Sequence, residues 1–361
     1  MSRNQRWTLV VAGTAVALFL TVWLAVAVIV PLFREAECTG IEFHSAGSGS
    51  AASERAGEPP IGGGGGVSGA VRAALRDDGP AVYCDDFADP FVLRVDGEYF
   101  AYSTNTEDQH IPVLTSGGLF GTANRSEALT ALPAWSEPGK VWAPSVLPRP
   151  GGFVLYYTTA ERGSGRECIS VALSDRPTGP FVDQSSRPLV CPEGGGAIDP
   201  APFVDADGRT YLLWKSYGGP NGIVVSELAP DGLTLLGEPQ VLITADQFWE
   251  GGLVEGPSMV AGGGRYYLFY SANDWQTDAY GIGYAVCDTP VGPCAKPHNG
   301  PWLASTENAQ GPGGQSLFTD EQGQMWMVLH AWVRGKVGYP DGARNLFVVP
   351  VDFVDGVPVS A

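Results

Sequence analysis

From Phe91 onward the chain alternates apolar and polar residues over short runs, each bounded by Gly, Pro, Asp or Asn. "FVLRVDGEYFAYST" sets the pattern: an alternating strand, an Asp-Gly turn, and a second strand rich in aromatic residues. Period-two runs separated by turn residues predict antiparallel hairpins. The unit returns as "APSVLPRPGGFVLYYTTA" from Ala143, "IDPAPFVDADGRTYLLWKS" from Ile198 and "EGPSMVAGGGRYYLFYSAN" from Glu255. A more degraded copy, "GPGGQSLFTDEQGQMWMVLHAW", starts at Gly311. The prolines that mark these copies are Pro90, Pro144, Pro200, Pro257 and Pro312, so successive spacings are 54, 56, 57 and 55 residues. Each unit has room for a four-stranded antiparallel sheet, and five such sheets set radially make a five-bladed β-propeller. A linear solenoid would use shorter repeats and need capping units. The expected fold class is therefore all-β, a five-bladed propeller.

The N-terminus follows a different pattern. From Trp7 to Phe33 no charged residue interrupts the apolar run, which exceeds the roughly 20 residues a membrane helix needs. Cleavable leaders usually have an apolar stretch of only about 7–15 residues and small residues at the cut. Arg3 and Arg6 precede the run and would stay in the cytoplasm, which sends the remainder of the chain outward. Three regions follow: a signal anchor or transmembrane helix over 1–37, a Gly/Ser-rich linker over 38–80 that contains Gly62–Gly66 in a row, and a propeller over 81–361. The expected location is the cell membrane, single-pass with the propeller outside, or secretion if the segment is cleaved. Six cysteines in an exported chain favour disulfides, and their spacing resembles no zinc motif. Cys287 and Cys294 frame a short turn and are the first expected pair; Cys168–Cys191 and Cys38–Cys84 follow.

Composition narrows the partners. The net charge of −18 argues against nucleic acid and anionic membrane surfaces, which must be met by Lys and Arg, but suits a neutral substrate. With charged residues at only 17%, the chain also lacks the makings of long amphipathic helices.

In a propeller the residues just before each innermost strand converge on one mouth of the central channel. Those positions hold Asp89, Ala143, Asp199, Glu255 (offset by one residue, before Gly256-Pro257) and Gly311. Taken singly, an Asp before Pro is a turn residue. Three register-matched acids in apolar surroundings are costly to gather, and read together they indicate a site. A bound cation is the non-catalytic alternative, since clustered oxygens suit calcium. Two carboxyls flanking a sugar bond can divide its hydrolysis, one donating a proton to the leaving oxygen while the other activates water or attacks. The donor must stay protonated near neutral pH, which burial and a neighbouring negative charge both promote. Trp142, Trp214, Phe248, Trp249 and Tyr339 offer faces for sugar rings, or else pack between blades.

"FADPFVLRVDGEYFAYST", "VWAPSVL", "AIDPAPFVDADGRTYLLW" and "VEGPSMV" resemble the signature segments of glycoside hydrolase family 43, and "ARNLFVVPVDFVDGVPV" resembles its closing pattern. The resemblance runs from about Val82 to the end. It implies a five-bladed propeller that hydrolyses arabinofuranosides or xylosides with inversion, as an α-L-arabinofuranosidase or β-xylosidase. By it Asp89 is the general base, Glu255 the general acid, and Asp199 the residue that positions and tunes the acid. It also implies that Arg344 lies by the tuning aspartate and that His330 is the histidine common in the fifth blade, so that both join Trp142, Trp214 and Phe248 as expected substrate-binding residues. Many members carry a histidine after "GPG" that helps hold a central metal; here Gly314 stands there, which disfavours a structural calcium, and no cofactor is required. Ser145 replaces an aspartate common after "WAP". Related fructosidases typically carry Asn-Asp-Pro and Arg-Asp-Pro, unlike "FADP" and "AIDP" here. Other furanosides and a non-catalytic sugar-binding propeller are the alternatives. The partner is a carbohydrate, and the protein is expected to act as a monomer.

Overall fold

Each repeat folds as its alternation predicts, into strands joined by tight Gly- and Asp-bearing turns. The computed structural model describes residues 81–119, 123–219 and 221–360. The expected membrane helix and the whole of the linker lie outside these residues; among the described residues no helix is long and apolar enough to cross a membrane. Blade I holds β2 (Phe91–Val95), β3 (Glu98–Tyr102), β4 (Pro112–Ser116) and β5 (Asn124–Glu127). Blade II holds β6 (Ser136–Arg149), β7 (Gly152–Glu161) and β8 (Glu167–Ser174). Blade III holds β9 (Ala197–Val204), β10 (Thr210–Ser216), β11 (Gly222–Leu228) and β12 (Leu235–Ile243). Blade IV holds β13 (Val254–Gly262), β14 (Arg265–Ala272), β15 (Gly281–Cys287) and the two-residue β16 (Cys294–Ala295). Blade V takes β17 (Ala309–Thr319), β18 (Met325–Val333) and β19 (Arg344–Val354) from the chain's end. Its outer strand is β1 (Ala81–Tyr83), which pairs antiparallel with β19, as does the short β20 (Val357–Val359).

Two features depart from five equal four-stranded units. The start of the folded region completes the last blade, with Ala81 opposite Phe347 and Tyr83 opposite Leu346. Blade II has three full strands; past β8 only isolated bridges at Val182 and Val190 continue it. Pro177, Pro180 and Pro188 lie in that stretch and cannot donate to a ladder. Cys168–Cys191 pins this stretch across the blade, and Cys287–Cys294 closes the turn before β16. Cys84 is also disulfide-bonded; its expected partner, Cys38, lies outside the described residues.

The ring closes through the inner strands: β2 touches β6, β6 touches β9, β9 touches β13, β13 touches β17, and β17 returns to β2. Each seam between neighbouring blades has its own apolar cluster. Tyr102 and Phe181 pack with Leu155 between blades I and II, and Trp214 packs with Leu147 and Ile169 between II and III. Phe203, Leu213 and Tyr270 fill the next seam, Phe269, Trp302 and Phe347 the one after, and Phe87, Phe318 and Val328 the last.

One backbone geometry repeats five times along the inner strands, just ahead of β2 and within β6, β9, β13 and β17. The residue before each marker proline has a left-handed φ: Asp89 at 49°, Ala143 at 45°, Asp199 at 58°, Gly256 at 56° and Gly311 at 59°. The proline disfavours a right-handed helical residue before it. Asp and Gly tolerate the left-handed alternative, whereas alanine bears its full steric cost of about 1–2 kcal/mol. We therefore expect Ala143→Gly to raise stability by roughly 0.5–1 kcal/mol, part of the relief being lost to glycine's greater unfolded-state entropy. Gly311→Ala should act the other way, because its Cβ would lie 2.5 Å from the Thr277 carbonyl oxygen. Urea midpoints of the two variants check both signs.

Candidate active site

The left-handed residues turn the chain inward at the mouth of the channel. A cavity of about 770 Å³ opens there, and Asp89, Asp199 and Glu255 all line it. In blades I and III the aspartate itself takes the left-handed position. In blade IV Gly256 takes it, so the acid moves back to Glu255 and the freed Gly256 N–H donates to Asp199 Oδ2 at 2.8 Å. That contact explains the one-residue offset and ties blade IV to blade III.

Each acid has different surroundings. Asp89 is partly open to solvent, its side chain 23% exposed. Its Oδ2 accepts from Thr104 Oγ1 at 2.6 Å, and that hydroxyl in turn accepts the Ala143 N–H at 3.0 Å. Arg344 Nη1 lies 3.8 Å from the same Oδ2. Glu255 is buried, and Tyr280 Oη donates to its Oε1 at 2.8 Å. Burial pushes the Glu255 carboxyl up to about 7; Asp89 reinforces the rise, while the Tyr280 hydrogen bond, Lys215 and Arg344 oppose it. Asp199 is also raised well above the ordinary carboxylate range, first by burial and then by Glu255 and Asp89, against the Gly256 N–H and Lys215.

His330, on β18, joins the two sides of the mouth. Its Nδ1 accepts the Asp89 N–H at 3.0 Å, and its ring stacks on Tyr280, centroids 6.1 Å apart. Burial depresses the imidazole to about 3, so it is neutral and carries its proton on Nε2; its closeness to Asp89 is not an ion pair. Gly314 makes room for it: a Cβ there would fall 2.5 Å from both His330 Nδ1 and Asp89 Oδ1. The three acids do not share an ion-sized cage. Among the described residues the one trio of potential metal ligands with atoms within 4.8 Å of one another is Glu161, Cys168 and Cys191, and its cysteines are bonded to each other.

The other predicted residues divide. Trp142 lines the cavity, with Lys140 Nζ 5.6 Å from its ring centre. Arg344 also lines it, but beside Asp89 rather than Asp199, its guanidinium 4.5 Å from the Trp275 ring and 5.7 Å from Tyr339. His330 sits behind the wall and holds Asp89, without itself lining the cavity. Trp214 is a core residue, 2% exposed in the seam between blades II and III, because its place on β10 faces the neighbouring sheet. Phe248 lies outside the central cavity and borders a second one. Ser145 Oγ donates to the Pro200 carbonyl and so joins blades II and III.

Sequence reasoning did not single out Tyr280, Thr104, Trp275, Tyr217 or Lys215. Tyr280 was within reach, since "QTDAYGI" reads as a funnel loop; its partner "NTEDQHIPVLTSGGLFGT" contributes Asn105, Thr106 and Glu107 to the lining.

A closed five-bladed ring with buried, proton-holding carboxyls at one mouth defines a glycoside-hydrolase architecture. Residues 81–358 match the model for glycosyl hydrolases family 43, and the chain belongs to that family. It is 30% identical over 271 residues to a β-D-galactofuranosidase of Aspergillus niger, covering 70% of this chain and 76% of the relative. An extracellular endo-α-(1→5)-L-arabinanase of Bacillus subtilis is 28% identical over 275 residues, 70% of this chain and 82% of that one. The crystal structure of a thermostable family-43 glycoside hydrolase superposes with a TM-score of 0.69 at 28% identity, covering 76% of this chain and 92% of the other.

Tyr280→Phe tests the electrostatics. The hydroxyl's hydrogen bond favours ionised Glu255, so its loss raises the Glu255 pKa, and the alkaline limb of the kcat/KM profile moves up by roughly one pH unit. An unmoved limb would mean that Glu255 is not the titrating group.

Proposed function

We propose that the propeller hydrolyses O-glycosidic bonds of arabinofuranosyl- or xylosyl-containing saccharides with inversion. The observation that carries this reading is the contrast across one cavity: Glu255 is buried and holds its proton to about 7, while Asp89 faces the same space in a wetter, cation-flanked setting. That contrast assigns two roles. Protonated Glu255 donates to the glycosidic oxygen as the bond to the anomeric carbon breaks. Asp89 takes a proton from a water that forms the new bond on the opposite face of the sugar. Asp199, through the Gly256 N–H, fixes where Glu255 sits and discourages its ionisation. Trp142, Tyr217, Trp275 and Tyr339 give apolar faces for the sugar's C–H surfaces, and Arg344 gives a fork for its hydroxyls. No step needs a cofactor.

A neutral polysaccharide suits the chain's net charge of −18, and the arabinanase relative supports the pentose reading. The galactofuranosidase relative supports a second one, in which the ring accepted is a hexofuranose. We further infer that the enzyme works outside the cytoplasm as a monomer tethered by its N-terminal segment; two intramolecular disulfides support an oxidising compartment.

Glu255→Gln and Asp89→Asn should each cut kcat by roughly 10²–10⁴-fold while leaving the circular dichroism spectrum unchanged. The assay is hydrolysis of aryl α-L-arabinofuranoside, β-D-xyloside and β-D-galactofuranoside, with the first-formed anomer read by NMR. Wild-type rates in either variant, or a product of retained configuration, would overturn the mechanism; turnover of the galactofuranoside alone would favour the second reading.

A further inference from the structure

The segment 244–253 joins blade III to blade IV and touches two cavities. At its end Leu253 lines the central one; earlier, Thr244, Asp246, Gln247 and Phe248 line a second cavity of about 560 Å³ on the outer flank of the two blades, opposite Lys296 and Asn299. Phe248 stands at its edge with a relative exposure of 101%, where no other large apolar residue among the described residues exceeds 56%.

That exposure is built into a rigid frame. Phe248 begins a single 3-10 turn, Phe248–Glu250. Glu250, fully buried, accepts the Asp246 and Gln247 N–H groups at 2.8 and 2.9 Å and the Tyr270 hydroxyl at 2.8 Å. Lys296 Nζ lies 2.6 Å from Glu250 and 2.6 Å from Asp246, and donates to the Thr244 carbonyl at 2.7 Å. Asn273 Nδ2 holds the Trp249 carbonyl at 2.7 Å, and Gln247 Oε1 takes the Trp249 indole proton at 2.6 Å. A buried network of this kind is worth keeping only if the turn must hold one shape, and the residue it presents is a bare phenyl ring.

We infer that this cavity and the Phe248 ring form a second carbohydrate-binding site, distinct from the catalytic cavity, that grips another part of the polymer being cleaved. The inference rests on the proposed glycosidase function for its choice of ligand. An aromatic face beside amide, hydroxyl and carboxylate groups is what a neutral sugar requires: C–H surface on the ring, hydroxyls on the polar wall. The cation in the wall is already neutralised by two carboxylates, so the cavity offers little to a phosphate or sulfate. The shared segment places the site on the mouth side of the propeller, where a chain leaving the active site can reach it.

The test compares Phe248→Ala with the parent in the full-length protein. In a Glu255→Gln background, affinity electrophoresis through soluble arabinan, arabinoxylan and galactofuranan measures retention. In the active background, hydrolysis is measured on the same polymers and on aryl glycosides. The ring packs against nothing, so the variant should fold normally. Retention on at least one polymer should weaken roughly three- to tenfold, and hydrolysis of that polymer should slow, while aryl glycoside kcat/KM stays unchanged. Equal retention of parent and variant on all three polymers would overturn the site, as would an effect of Phe248→Ala confined to oligomeric state or vesicle binding. Failure of the parent to hydrolyse any aryl glycoside would instead count against the proposed function and is read separately.

Discussion

A left-handed residue immediately before a proline, one to each inner strand, is the constraint on which the mouth of this protein depends. It turns the chain sharply at the channel rim. In two blades the turning residue is itself an aspartate, so one residue both bends the backbone and brings a carboxyl to the cavity. In a third, glycine does the bending and frees its neighbour to be a glutamate, while its own N–H orients the aspartate next door. Backbone geometry and site electrostatics are therefore one arrangement, which is why acids from three separate repeats face a common space.

Gathering three carboxyls there is unfavourable in isolation, and the protein offsets the cost unevenly. Asp89 has partial exposure to solvent, a threonine hydroxyl and a guanidinium. Glu255 has a tyrosine hydroxyl but little solvent, and it answers by keeping a proton. Arg344 does not float free: it is stacked among Trp275, Trp332 and Tyr339, so its charge is held at a set distance from Asp89. His330 contributes by remaining neutral. A charged ring in its place would compete with Arg344 for Asp89 and would lose the acceptor that fixes the Asp89 backbone.

Much of this was legible in the chain because the repeat is carried by local chemistry. Alternation, Asp-Gly turns and evenly spaced prolines are short-range signals, and they located the inner strands and the three acids. What escaped were relations between repeats. The pairing of β1 with β19 joins residues that no local pattern connects. The broken outer edge of blade II follows from three prolines whose effect shows only against a ladder. Trp214 and Phe248 are equally aromatic on paper, yet one faces a neighbouring blade and the other faces solvent. Tyr280 gains its role from a hydrogen bond to a residue 25 positions earlier in the sequence, and Arg344 from which aspartate the blade order brings beside it.

The strand that starts the folded region supplies the outermost member of the last sheet. Ala81–Tyr83 therefore lack a sheet partner until β19, near the other end of the chain, has been made. A prematurely terminated chain has four sheets and an open seam, with Phe87 and the apolar face of blade I lacking their cover. A finished mouth therefore needs the final segment, because without β17–β19 the wall that carries Gly314, Gln315 and Arg344 is missing.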